Sequence, residues 1–209
     1  MLDPQLIIGA ILFPIFVAYL IYVKNKYLKN DSEYLLLSFL LGCVIFIPVL
    51  VVQLSFNFLQ PNDFVKYFFQ AALVEEGFKF LILYRFKNLI VDNFDSIKFS
   101  TLISLGFAMV ENIGYTFKGL NSGFGGFETI ELRMFSAIPG HFIFGVNMGF
   151  LFGLYKQNKK YTTLFLMLSI ISPIIIHGSY DYFHSAASLL ILVIAFILNY
   201  SPLKSFINA

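Results

Sequence analysis

Seven long apolar stretches, at about residues 5–23, 34–56, 64–84, 98–117, 133–154, 161–182 and 186–200, account for most of this 209-residue chain. A membrane span needs about 20 such residues, with a range of roughly 17–25, and only the last stretch falls short. Polar hinges separate them, among them KNKYLKND, QPND, RFKNLIVDNFD and YKQNKK. In a bilayer the backbone must satisfy its own polar groups, which leaves helices or closed barrels. The stretches are continuously apolar and lack the alternation of barrel strands, so the expected fold is all-α, a polytopic bundle of about seven transmembrane helices. Composition agrees: 58% of residues are hydrophobic and 12% charged, against about 45–50% and about 25% in soluble domains. The expected organisation is a single integral membrane domain over 1–209, without a cleaved signal peptide, because the first apolar run lacks a basic lead and a small-residue cleavage site.

Charge placement predicts the orientation. The hinges after spans one, three and five, with the C-terminal tail, carry Lys24, Lys26, Lys29, Arg85, Lys87, Lys98, Lys156, Lys159, Lys160 and Lys204. The alternate hinges carry only Lys66, Lys118 and Arg133. Cytoplasmic loops are the basic ones, so the expected topology has the N-terminus outside and the C-terminus in the cytoplasm. A net charge of +2 and the absence of a long basic run exclude a nucleic-acid partner. The lone Cys43 excludes an intrachain disulfide or a Cys-rich metal site.

Ionisable residues interrupt four of the spans. Span three holds Glu75, Glu76 and Lys79, span four Glu111 and Asn112, span five His141 and Asn147, and span six His177 and Asp181. A charge at mid-bilayer costs at least ~2.5–3.5 kcal/mol, so an intramembrane ionisable group points to function. At a rise of ~1.5 Å per residue, Glu75 lies roughly 16 Å, Glu111 about 9 Å, His141 about 12 Å and His177 roughly 8 Å below the outer ends of their spans. Spans three and five run inward and four and six outward, so one cluster in the outer half accounts for all of them. Glu75 with Lys79, and His177 with Asp181, are four apart and share helix faces. Glu76 sits about 100° from Glu75, so one glutamate can face a reacting centre while the other pairs with Lys79.

Such a set can activate water. A desolvated carboxylate serves as general base, and imidazoles or an amide stabilise an oxyanion. Equally, Glu and His can hold a metal that acidifies water, although the chain lacks H-E-x-x-H. Asn112 and Asn147 also suit interhelical hydrogen bonding. His184, at a span end, reads as incidental, and Phe107 as packing. Two other classes compete with an enzyme. Buried Glu, His and Lys also build the proton relay of a cation-coupled transporter, against which stand the short chain and the lack of an inverted repeat. A non-catalytic membrane scaffold is the other.

The segments EEGFK, FAMVEN, GHFIFGVNMG and HGSYD, in this order on successive spans, resemble the motifs of the PrsW family of bacterial intramembrane proteases, itself distantly similar to the CAAX prenyl endopeptidases. The resemblance extends over nearly the whole chain. It implies a peptidase of the bacterial cytoplasmic membrane that makes the first, extracytoplasmic cut in a single-span anti-sigma factor, leading to a stress response. It implies that Glu75 and Glu76 activate water with Lys79 as partner. Glu111 would be a second base or ligand, and His141 and His177 ligands or oxyanion stabilisers. Asp181 would orient His177, with Asn112 in support. The catalytic helices would lie at approximately 64–182. The family is described as metalloprotease-like, which makes Glu75, Glu111, His141 and His177 candidate ligands of a metal such as Zn, with metal-free glutamate-activated water as the alternative. The hinge KGLNSGFGGFETIELR is longer than usual for the family and bears on substrate choice.

Overall fold

The computed structural model describes residues 4–25, 32–121, 132–183 and 186–198. Most of the Gly-rich hinge, His184 and the C-terminal tail lie outside the described residues. The described chain is all-helical: α1 (Pro4–Asn25), α2 (Ser32–Asn57), a π-helical segment (Val65–Leu73) running directly into α3 (Val74–Arg85), α4 (Asn93–Asn121), α5 (Ala137–Gln157), α6 (Thr162–Tyr182) and α7 (Ala186–Leu198). By length and composition, three helical stretches can cross a membrane: Glu33–Phe56, Leu132–Gln157 and Thr162–Tyr182.

The bundle is organised around α4, which packs on α1, α2 and α5. Residues 96–108 of α4 are buried without interruption. A helix buried all round needs small residues to admit its neighbours, and α4 supplies Ser96, Ser100, Thr101 and Ser104. The outer helices carry the opposite pattern. On α2, Leu36, Leu40, Val44, Ile47, Val51 and Leu54 are all exposed. Their spacing of three and four draws one apolar stripe along the helix. On α6, Leu164, Met167, Ile171 and Ile175 do the same. Stripes of this kind suit lipid tails rather than water.

Gly145, Gly149 and Gly153 repeat every four residues on the face of α5 that meets α4. A Cβ on Gly149 would lie 2.6 Å from the Ser96 carbonyl oxygen, and one on Gly145 would lie 2.8 Å from Ser104 Oγ. Backbones in such contact cannot separate locally, so Gly149→Val is expected to destabilise the bundle by about 1–3 kcal/mol through overpacking. Around Gly77 nothing lies within 4 Å, and Gly77→Ala is expected to leave stability unchanged or slightly raised. Thermal unfolding of the two variants in detergent checks the contrast.

The sequence places Pro139-Gly140 inside span five, as a loosening element before His141. In the structure α5 begins only at Ala137, after a non-helical Ser136. Pro139 therefore sits in the first helical turn, where the missing N–H has no partner to lose. The break falls at Ser136 instead, and it separates the short turn holding Arg133 from α5.

Candidate active site

All the ionisable residues picked out from the sequence meet at one end of the bundle, where α2, α4 and α6 end and α3 and α5 begin. Glu75, Glu111, His141, His177 and Asp181 line one cavity of about 680 Å³. Glu76, Lys79 and Asn112 lie behind its wall, each no more than 1% exposed. The similar distances of these ionisable residues from the ends of successive antiparallel spans require such a shared end. Asn147 is buried on α5 but does not line the cavity.

The buried groups form a chain of contacts from α4 to α6. Arg133 donates from its guanidinium to Glu111 Oε2 at 2.5 Å and to Asn112 Oδ1 at 2.7 Å. His141 Nε2 lies 2.9 Å from the same Glu111 oxygen, and His141 Nδ1 lies 3.1 Å from Lys79 Nζ. An ammonium only donates, so Nδ1 accepts and the ring hydrogen sits on Nε2, directed at Glu111. Lys79 also donates to Glu76 Oε1 at 2.8 Å, and that oxygen lies 2.9 Å from His177 Nδ1. Glu76 can only accept there, so His177 Nδ1 carries a hydrogen. His177 Nε2 then faces Asp181 Oδ2 at 3.3 Å. Aromatic rings wall the chain in: Phe144 stacks on His177 with centroids 4.7 Å apart, and Lys79 Nζ stands 4.4 Å over the Phe107 ring. Phe107 is thus more than packing, because it covers the face of a buried cation.

Glu75 stands apart from this chain. Its Oε1 accepts from Gln53 Nε2 at 3.1 Å. Its Oε2 is buried without a hydrogen-bond donor among the described residues, as is Glu76 Oε2, but only Glu75 lines the cavity. Lys79 Nζ is 3.7 Å from the Glu75 oxygen and His177 Nε2 4.0 Å. The two glutamates, equivalent in the sequence, are thereby distinguished: Glu75 faces the cavity and Glu76 is the buried partner of Lys79.

Two contributors were missed. Gln53 comes from α2, outside the 64–182 window, and its backbone carbonyl accepts from Gln70 at 2.6 Å. A Gln near the end of an apolar span was the signal available. Arg133 counted only as a hinge cation, although it lies eight residues before His141.

The donor set admits a metal. Glu75, Glu76 and His177 offer ligand atoms within 4.8 Å of one another, as do Glu75, Glu111 and His141. Both groups share Glu75, and each draws on an imidazole whose two nitrogens already have polar neighbours. In the first group Glu76 already holds His177 Nδ1–H, and His177 Nε2 faces Asp181 Oδ2 at 3.3 Å with the unpartnered Glu75 oxygen 4.0 Å away. In the second group both nitrogens of His141 are already engaged. Glu75, Glu76, Glu111 and Asp181 set four formal negative charges against the two positive charges of Lys79 and Arg133. Among these buried groups a divalent cation or two added protons would balance the surplus, and Lys66 and Lys118, which line the same cavity, offset it nearer the surface.

A family model described as "PrsW family intramembrane metalloprotease" matches residues 31–203. The chain belongs to that family. It is 33% identical over 165 residues to "Protease PrsW" of Halalkalibacterium halodurans, covering 77% of this chain and 74% of that one. With "Protease PrsW" of Shouchella clausii it shares 32% identity, over 79% and 77% of the two chains. With that of Clostridioides difficile it shares 29%, over 88% and 84%. No solved structure matches the chain. PrsW membership makes the chain a membrane-embedded peptidase and selects that reading over the transporter and the scaffold.

Proposed function

We propose that this PrsW-family peptidase cuts a membrane-anchored protein near the extracytoplasmic face of a bacterial inner membrane, as the first cleavage of a single-span anti-sigma factor. The proposed topology has seven crossings, the N-terminus outside and the C-terminus in the cytoplasm. The scarcity of Lys and Arg at the cavity end supports it. A single domain, 1–209, carries the activity.

The observation that carries the reading is the free, buried Oε2 of Glu75, 4.0 Å from His177 Nε2 at the floor of a cavity. A water seated between those atoms can hydrogen-bond to both. Glu75 takes a proton from that water as its oxygen attacks the scissile carbonyl carbon. It then returns the proton to the departing amine as the C–N bond breaks. Glu76 and Asp181 fix the orientation of His177 at the reacting water. Arg133 and Lys79 fix Glu111 and His141 along the opposite wall. In the metal-dependent alternative, Glu75 would hold the metal either with Glu76 and His177 or with Glu111 and His141, and the metal rather than Glu75 would activate the water. Zn suits a donor set of imidazole and carboxylates, and when bound it lowers the pKa of water and polarises the carbonyl.

The test is cleavage of a single-span substrate by the purified protein, with and without a strong chelator. We expect chelation to remove activity and added Zn²⁺ to restore it. Undiminished cleavage by a preparation that elemental analysis finds free of metal would overturn the metal assignment and leave water activation to Glu75 alone.

A further inference from the structure

Lys66, Lys118 and Arg133 are the three cations of the hinges that are otherwise poor in basic residues, and they come from separate segments. All three line the same cavity. Arg133 is committed to Glu111 and Asn112. Lys66 and Lys118 are exposed, and neither belongs to an ion pair among the described residues. Their ammonium groups lie over the rings of Tyr67, at 5.1 Å, and Tyr115, at 5.7 Å. Both tyrosines also line the cavity, so the lysines belong to its rim and not to the outer perimeter.

The π-helix is what brings Lys66 there. Lys66 precedes Glu75 by nine residues. In an α-helix, at about 3.6 residues per turn, nine residues are about two and a half turns, and the two side chains would point opposite ways. The i→i+5 bonding of a π-helix widens the turn to roughly four and a half residues, so nine residues bring the chain back to the same face. π-Helical geometry is rare and, where it occurs, frequently lies at functional sites. Here Val65–Leu73 aligns a rim cation with the cavity-facing glutamate, and Gln70 and Ala71 line the wall between them.

We infer that Lys66 and Lys118 select substrates carrying aspartate or glutamate just outside the membrane-embedded scissile bond, on the side of the cavity mouth. The cavity floor carries Glu75, Glu111 and Asp181. Glu111 is paired there with Arg133, so Glu75 and Asp181 are the groups that repel an acidic side chain, while the rim attracts it. An acidic residue is therefore held at the mouth, which sets the register of the peptide bond reaching Glu75 and raises the rate of productive encounter. The inference rests on the peptidase reading of this cavity.

The test uses the full-length protein in neutral phosphatidylcholine vesicles. Two single-span peptides are compared, identical except for two Asp or two Lys residues immediately beyond the span at the cavity-mouth end. Two rim ion pairs give an expected preference for the Asp peptide of about tenfold in kcat/KM, shrinking as salt is raised. The double variant Lys66→Glu/Lys118→Glu is expected to invert the preference, and Lys66→Gln/Lys118→Gln to abolish it. Equal cleavage of both peptides by the unmutated protein overturns the inference, as does a preference that survives the double charge reversal. So does an effect of these substitutions that is the same for both peptides and tracks only the anionic lipid content of the vesicles. Binding of the peptides to the Glu75→Gln protein, read by fluorescence anisotropy, separates the two levels. A charge preference there, with cleavage intact in Glu75→Gln, sinks the Glu75 assignment alone. No preference in an inactive Glu75→Gln protein sinks the rim alone.

Discussion

Replacing Glu75 by glutamine is expected to lower kcat/KM for a single-span substrate by about 10²–10⁴-fold, the usual contribution of a positioned general base, while the folded state persists. Glutamine keeps a carbonyl oxygen that can accept the 3.1 Å hydrogen bond from Gln53. It loses the basicity and charge of Oε2, an atom with no hydrogen-bond donor to forfeit among the described residues and only a long 3.7 Å ion pair with Lys79. Glu76→Gln makes the contrast. That carboxylate accepts from Lys79 at 2.8 Å and from His177 at 2.9 Å, so glutamine weakens two charge-assisted hydrogen bonds, loosens the orientation of His177 and removes the counter-charge of a buried ammonium. Activity and stability should fall together. The pair is read by kinetics and by thermal unfolding in detergent. A normal rate in Glu75→Gln refutes the assignment, and equal destabilisation by both substitutions refutes the division of roles between the two glutamates.

That division shows where the sequence stops being informative. Apolar length and hinge composition announced the helices, since a bilayer leaves the backbone little choice. Counting rise per residue brought Glu75, Glu111, His141 and His177 into the same half of the bundle, because straight helices convert sequence offset into distance. What could not be read was rotation. Glu75 and Glu76 differ by one step round the helix, and only the packing of α2 and α6 against α3 decides that Gln53 meets the first and His177 Nδ1 the second. Angular reasoning also assumes α geometry, so the π-helical Val65–Leu73 hid Lys66 from the site. Arg133 escaped for a related reason. As a hinge cation it served only the topology, and the break at Ser136 that lets it reach Glu111 is marked by Ser136 and Pro139, a helix start that the continuous apolar run of span five conceals.

Lys79 should give the largest stability effect of any single site. Its side chain is 0% exposed and makes ion pairs with Glu76 at 2.8 Å and Glu75 at 3.7 Å, and it donates to His141 Nδ1. Lys79→Met keeps much of the apolar stem and its contact with Phe107 but leaves the buried Glu76 without a cation. Breaking a buried pair from one side costs about 3–5 kcal/mol, because the remaining charge is stranded in a low dielectric. Arginine is no substitute, since its planar fork cannot replace a compact ammonium that donates in three directions. Removing both charges tests the explanation. Lys79→Met/Glu76→Gln should recover a substantial part of the lost stability, because the stranded carboxylate is gone, yet remain inactive, because His177 and His141 have lost the groups that orient them. Recovery of stability without recovery of cleavage, measured by unfolding and turnover on the same preparations, is the expected result. If the double variant is as unstable as Lys79→Met alone, the cost lies in lost packing around Phe107 and not in the stranded charge.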